Sequence, residues 1–108
     1  MTQGMEHAAL LENLNSKFRL QLDGSNWLEL ELIEVSELKA LRGQEMFSIE
    51  FRCRSNEVLP QRIYRLEHEN LGQLDLFLVP IRKDEQGVYY EAVFNRFFKD
   101  AESSGLTS

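Results

Sequence analysis

The chain has 108 residues, 43% of them hydrophobic, which bounds it to one domain with a core of modest size. Eighteen acidic against twelve basic residues give a net charge of -6, which disfavours a nucleic-acid backbone or an anionic membrane surface as partner. A single cysteine excludes an internal disulfide and a thiolate-rich metal site, and it fits a reducing, cytoplasmic setting.

Residues 1–16 begin polar and then run MEHAALLENLN, in which Leu10, Leu11 and Leu14 make a short apolar stripe on a helix of two to three turns. So short a helix needs tertiary support, and it is expected to dock on the domain that follows. The N-terminus lacks a basic stretch followed by an apolar core. No apolar run is long enough to span a bilayer, so neither export nor membrane insertion is expected.

Residues 17–98 read as a single antiparallel β domain. Over 17–23, Phe18, Leu20 and Leu22 alternate with Arg19 and Gln21, and Asp23-Gly24-Ser25-Asn26 is a tight-turn signal. Over 27–35, Leu28, Leu30 and Leu32 alternate with Glu29 and Glu31 until the Leu32-Ile33 doublet, where the slip in period predicts a β-bulge. Residues 36–45 hold only Leu38 and Leu41 as large apolar side chains and fit either a helical turn or a long loop. The cleanest alternation follows over 46–53, with Phe47, Ile49, Phe51 and Cys53 inward. A polar loop closed by Leu59-Pro60 leads to a short strand over 62–67 with Tyr64 and Leu66 inward.

The strongest signal in the chain lies over 71–95, where LGQLDLFLVPI and VYYEAVFN flank the charged, glycine-ended turn RKDEQG. Leu74, Leu76 and Leu78 share one face, and Phe77, Val79 and Ile81 make the latter half of the other face apolar too. Pro80 donates nothing to a ladder, so the strand ends there or meets an edge or bulge. Phe77, Val79 and Ile81 offer a seat for the N-terminal helix or, failing that, an interface with another chain. Residues 99–108 are small, polar and aperiodic and are expected to be disordered. Six strands in sequence, with a short N-terminal helix, suggest a mainly-β antiparallel meander closing into a small barrel or barrel-like sandwich.

Candidate chemistry is sparse. His68 lies between Glu67 and Glu69, a pattern that invites a general base or metal ligand, but alternation puts both carboxylates on the opposite face. The only other histidine, His7, falls in the helix, and no HExxH array, Gly-rich phosphate loop or strand-Ser-helix elbow is present. Cys53 reads as a core thiol and His68 as a structural or turn histidine. Glu29, Glu31 and Glu50, with Arg19, Arg52 and Arg65, read as cross-strand ion pairs on a wet surface. Trp27 and a tyrosine such as Tyr89 are the aromatic side chains available to a ligand or an interface.

Along FSIEFR (47–52), LPQ (59–61), Tyr64, LEH (66–68), Leu71-Gly72, LFLVPI (76–81) and YEAVFN (90–95), the chain resembles a small bacterial β-rich family of unknown function. The resemblance spans roughly residues 10–97 and implies no established activity; it implies a structural or adaptor role in phage-tail-like assemblies. Three functions compete. The first is a non-catalytic structural or protein-interaction module that self-associates or binds a protein partner. The second is a small-ligand or carbohydrate-binding barrel with a concave pocket. The third is an enzyme built on His68 and a nearby carboxylate. The first is preferred, with no catalytic, cofactor or metal residue assigned.

Overall fold

Period-two alternation of large apolar side chains yields strands that are wet on one face and dry on the other, and the dry faces must meet. The computed structural model describes residues 6–97. A short helix, α1 (His7–Glu12), precedes seven strands: β1 (Lys17–Asp23), β2 (Asn26–Val35), β3 (Lys39–Leu41), β4 (Gln44–Cys53), β5 (Arg62–His68), β6 (Gly72–Asp84) and β7 (Gly87–Phe97). Six of them close a ring in the order β1-β2-β4-β7-β6-β5, every neighbour antiparallel. The result is a six-stranded antiparallel barrel with a short N-terminal helix.

The order round the ring differs from one continuous meander. β1-β2-β4 and β5-β6-β7 are two three-stranded meanders, and the loop after Cys53 carries the chain between them. β1 and β5 pair only over Arg19–Glu67 and Leu20–Leu66, which makes this the slimmest seam. Residues 36–45 are neither a helical turn nor a plain loop. β3 continues the β2 side of β4 past the barrel rim, and its hairpin turns at Arg42 and Gly43, both at positive φ (50° and 79°).

Two bulges sit where the sequence signals them. The register of β2 slips at Ile33, and that of β6 slips beside Pro80, whose missing N–H leaves no ladder bond to break. The β6–β7 hairpin is tighter than the sequence suggests, with strand pairing running on to Asp84–Gly87. Gly87 is obligatory there: its φ is +138°, and a Cβ would lie 2.1 Å from the Cys53 carbonyl oxygen.

The interior is filled by side chains from every strand of the ring. Phe18, Leu20, Leu30, Leu32, Phe51, Leu66, Leu78 and Tyr90 are fully buried. The Phe18 and Phe51 rings meet edge-on across the barrel at 5.1 Å. Each such side chain contributes about 1.5–3 kcal/mol by leaving water.

The helix closes one end of the barrel. Leu10 is fully buried in the core, the His7 Nε2–H donates to the Ser36 carbonyl at 2.8 Å, and the His7 ring sits edge-on to Phe47. Asn15 turns the chain at φ 71°, a conformation Asn tolerates, and its N–H donates to the Leu32 carbonyl at 2.7 Å. The helix therefore packs against β2 at the barrel rim. The seat expected on Phe77, Val79 and Ile81 is not used, because Leu10 finds deeper burial in the open mouth of the barrel than an outer sheet face offers. The tail expected to be disordered over 99–108 lies outside the described residues.

Candidate functional site

His68 is the third inward residue of β5, after Tyr64 and Leu66, and it is 8% exposed. Its ring packs on Phe18 at 4.3 Å between centroids. Nδ1 accepts two backbone N–H groups, from Asn70 at 2.9 Å and Leu71 at 3.2 Å. A nitrogen that accepts carries no proton, so the neutral ring holds its hydrogen on Nε2. Nε2–H then donates to Ser16 Oγ at 2.7 Å, and the Ser16 hydroxyl donates to the Asn13 carbonyl at 2.5 Å.

A serine 2.7 Å from a histidine has the spacing of a nucleophile and its base. The protons run the wrong way. The imidazole gives a hydrogen to the serine instead of taking one, and its far nitrogen is held by N–H donors where a carboxylate would be needed. Burial keeps the His68 pKa below its ordinary 6.5, with the nearby Glu69 charge working weakly in the opposite direction. Glu67 points outward and takes Arg19 Nη2 at 2.8 Å. His68 thus pins the 68–72 turn and the strap before β1 to the barrel, as a structural histidine.

The other end of the barrel is closed by two tyrosines. Tyr90 Oη accepts the Leu59 N–H at 3.0 Å, and Tyr64 Oη donates to the Pro60 carbonyl at 2.6 Å. These bonds hold Leu59, itself buried, over the mouth. Burial raises the pKa of both phenols. It raises that of the Cys53 thiol too, as expected of a core cysteine rather than a nucleophile.

The remaining candidates lie on the outer surface. Trp27 is 36% exposed beside the Arg19 guanidinium. Tyr89 faces outward yet is 5% exposed, because Arg82 lies over its ring at 4.0 Å. Neither aromatic stands in a concave interior site, since the interior is occupied, so the ligand-barrel reading loses the pocket it required. An open groove of about 580 Å³ runs over the diverging ends of β1 and β5 beside His68. Four of its charged side chains are paired with each other, Lys17 with Glu29 and Arg19 with Glu67. The expected cross-strand pairs recur around the barrel as Arg52–Glu31, Arg65–Asp75 and Arg82–Glu50. Among the described residues no three His, Cys, Asp or Glu side chains are placed to hold a metal ion.

Phe77 and Ile81 are exposed, and Val79 is half-buried. Of the three, Phe77 belongs to a wider apolar surface. Ile63 stands directly opposite Phe77, and Leu41, Met46, Val93 and Phe97 are exposed on the outer face of β3, β4 and β7. Val93 alternates with the inward Ala92 and so faces outward, and Leu41 joins this surface because β3 pairs with β4, which lies between β3 and β7.

Residues 5–94 match a family model described as a domain of unknown function, DUF6916. No curated protein and no solved structure matches the chain. Among the described residues no helix is long and apolar enough to cross a membrane.

Proposed function

Because the chain belongs to the DUF6916 family of domains of unknown function, we propose its role from its own surfaces: it is a non-catalytic structural or protein-interaction module. One contrast carries this reading. The barrel is filled inside and stoppered at both ends, while large apolar side chains on its outer face stand uncovered. The most enzyme-like pair, Ser16 and His68, spends its hydrogen bonds on holding the chain together.

The finer form of the proposal is a component or adaptor of a phage-tail-like assembly in a cytoplasmic setting. The first part is supported by sequence resemblance, the second by the free, buried thiol of Cys53. The experiment is sedimentation velocity of the purified chain, alone and mixed with the proteins encoded beside it. A species heavier than the single chain supports an interaction module. A lone chain in every mixture and at every concentration counts against it.

A further inference from the structure

The register of β3, β4 and β7 sets out the apolar face row by row. Leu41 pairs with Gln44, which pairs with Phe97; Lys39 pairs with Met46, which pairs with Asn95; Ser48 pairs with Val93. These residues share the parity of the outward Glu50 and Arg52, so all of them face outward. On the adjoining strand the Val79–Glu91 pair is the last before β6 and β7 part. Two residues on, Phe77 and Val93 flank that seam from either side, and Ile63 lies next to Phe77 on β5. Leu41, Met46, Ile63, Phe77, Val93 and Phe97 are each between 42% and 72% exposed.

We infer that this outer face of β3, β4 and β7, extended by Phe77 and Ile63, seats a second copy of the chain about a two-fold axis. The inference rests on the interaction reading above and names its partner. At about 200 Å² per large apolar side chain, the six expose roughly 700 Å². That exceeds the roughly 300–600 Å² of the largest patch on a typical monomer, and it approaches the roughly 800 Å² each partner gives to a standard interface.

The charge pattern fits a copy of the same chain. A net charge of -6 would set two copies against each other. Yet the neutral side chains between the apolar ones are Gln44, Ser48 and Asn95, and Lys39 is the single charge within the three rows. No carboxylate falls within those rows; Glu50 and Glu91 bound them on β4 and β7, and Arg82 pairs with Glu50. A two-fold axis places the same patch against itself, so apolar meets apolar without a second complementary surface. Twisted sheet faces of one hand pack on each other with strands nearly aligned. The chain's own helix is not the occupant, because Leu10 and His7 hold it at the barrel mouth.

The test is sedimentation equilibrium of the full chain over a wide concentration range, with the variants Val93→Glu, Phe97→Glu and Ile81→Glu. The parent is expected to dimerise. Val93→Glu and Phe97→Glu are expected to weaken the dimer by about 100-fold or more, as an unpaired charge in an apolar interface does. Ile81→Glu, off this face, is expected to leave it unchanged. Matching circular dichroism and melting curves check that the variants fold. A dimer indifferent to Val93→Glu and Phe97→Glu overturns the assigned face while the interaction reading stands. A monomeric parent overturns the second copy as occupant. The face then belongs to residues 98–108, seen as nuclear Overhauser contacts to Phe97, or to another protein, seen as a heavier species in the mixtures above. A lone chain in those mixtures as well sinks both readings.

Discussion

Replacing His68 tests how the helix end of the barrel is held. In His68→Ala the N–H groups of Asn70 and Leu71 lose their side-chain acceptor, Ser16 loses its donor, and the Phe18 ring loses its neighbour. Each lost hydrogen bond costs about 1 kcal/mol, and the vacated ring volume adds a similar amount, for a total of about 4 kcal/mol. A domain of this size has roughly 5–15 kcal/mol to lose, so the loss is a large fraction. The pH dependence follows from the same geometry. The folded His68 pKa is depressed, chiefly by burial, so between that value and 6.5 the unfolded chain binds more protons than the folded one. The stabilisation is fully present above 6.5 and is lost as pH falls through the folded value. His68→Gln keeps an acceptor for the turn but does not titrate. Urea unfolding at about pH 7.5 and about pH 5.5 separates the two effects. The parent should weaken on acidification more than His68→Gln does, with His68→Ala least stable at the higher pH. Equal pH dependence in parent and His68→Gln would refute the account of a buried neutral ring.

Three further outcomes are expected. Gly87→Ala should cost about 3 kcal/mol or more, since a Cβ meets the Cys53 carbonyl and φ is left-handed. Gly24→Ala, with nothing within 4 Å, serves as the mild control in the same urea series. Tyr90→Phe strands the buried Leu59 N–H and should cost about 1–3 kcal/mol in thermal unfolding, with faster hydrogen exchange at Leu59. Leu10→Ala should destabilise by about 2–5 kcal/mol despite lying in a six-residue helix, because the side chain is wholly within the core; calorimetry reads the loss.

The strands were legible because one face of each is dry. Phe47, Ile49 and Phe51, or Leu74, Leu76 and Leu78, repeat at two-residue spacing, and burial follows that spacing. His68 fell on the inward face by the same count, which is why its structural role could be expected. The bulges at Ile33 and beside Pro80 were legible as a slip of period and a missing donor. The route of the chain was not. Whether β4 leads to a neighbouring strand or across the barrel depends on the seams β1–β5 and β4–β7. These join residues far apart in sequence and leave no local trace. β3 was hidden for another reason: all three of its residues are exposed, so burial imposes no alternation on it. The seat of α1 was misread because Phe77 to Ile81 is the more apolar stretch, whereas the helix follows the vacant mouth of the barrel. The continuous apolar face could not be assembled without β3 and the parting of β6 from β7.

The central claim is that the two halves of the chain close around one packed interior, leaving function to the outside. A nuclear Overhauser experiment reads this directly, because β1 and β4 are not neighbours in the ring and yet their rings meet. Strong cross-peaks between the Phe18 and Phe51 rings, with Leu20 to Leu66 contacts across the slim seam, are the predicted result. Their absence, with water cross-peaks to those side chains in their place, would contradict it.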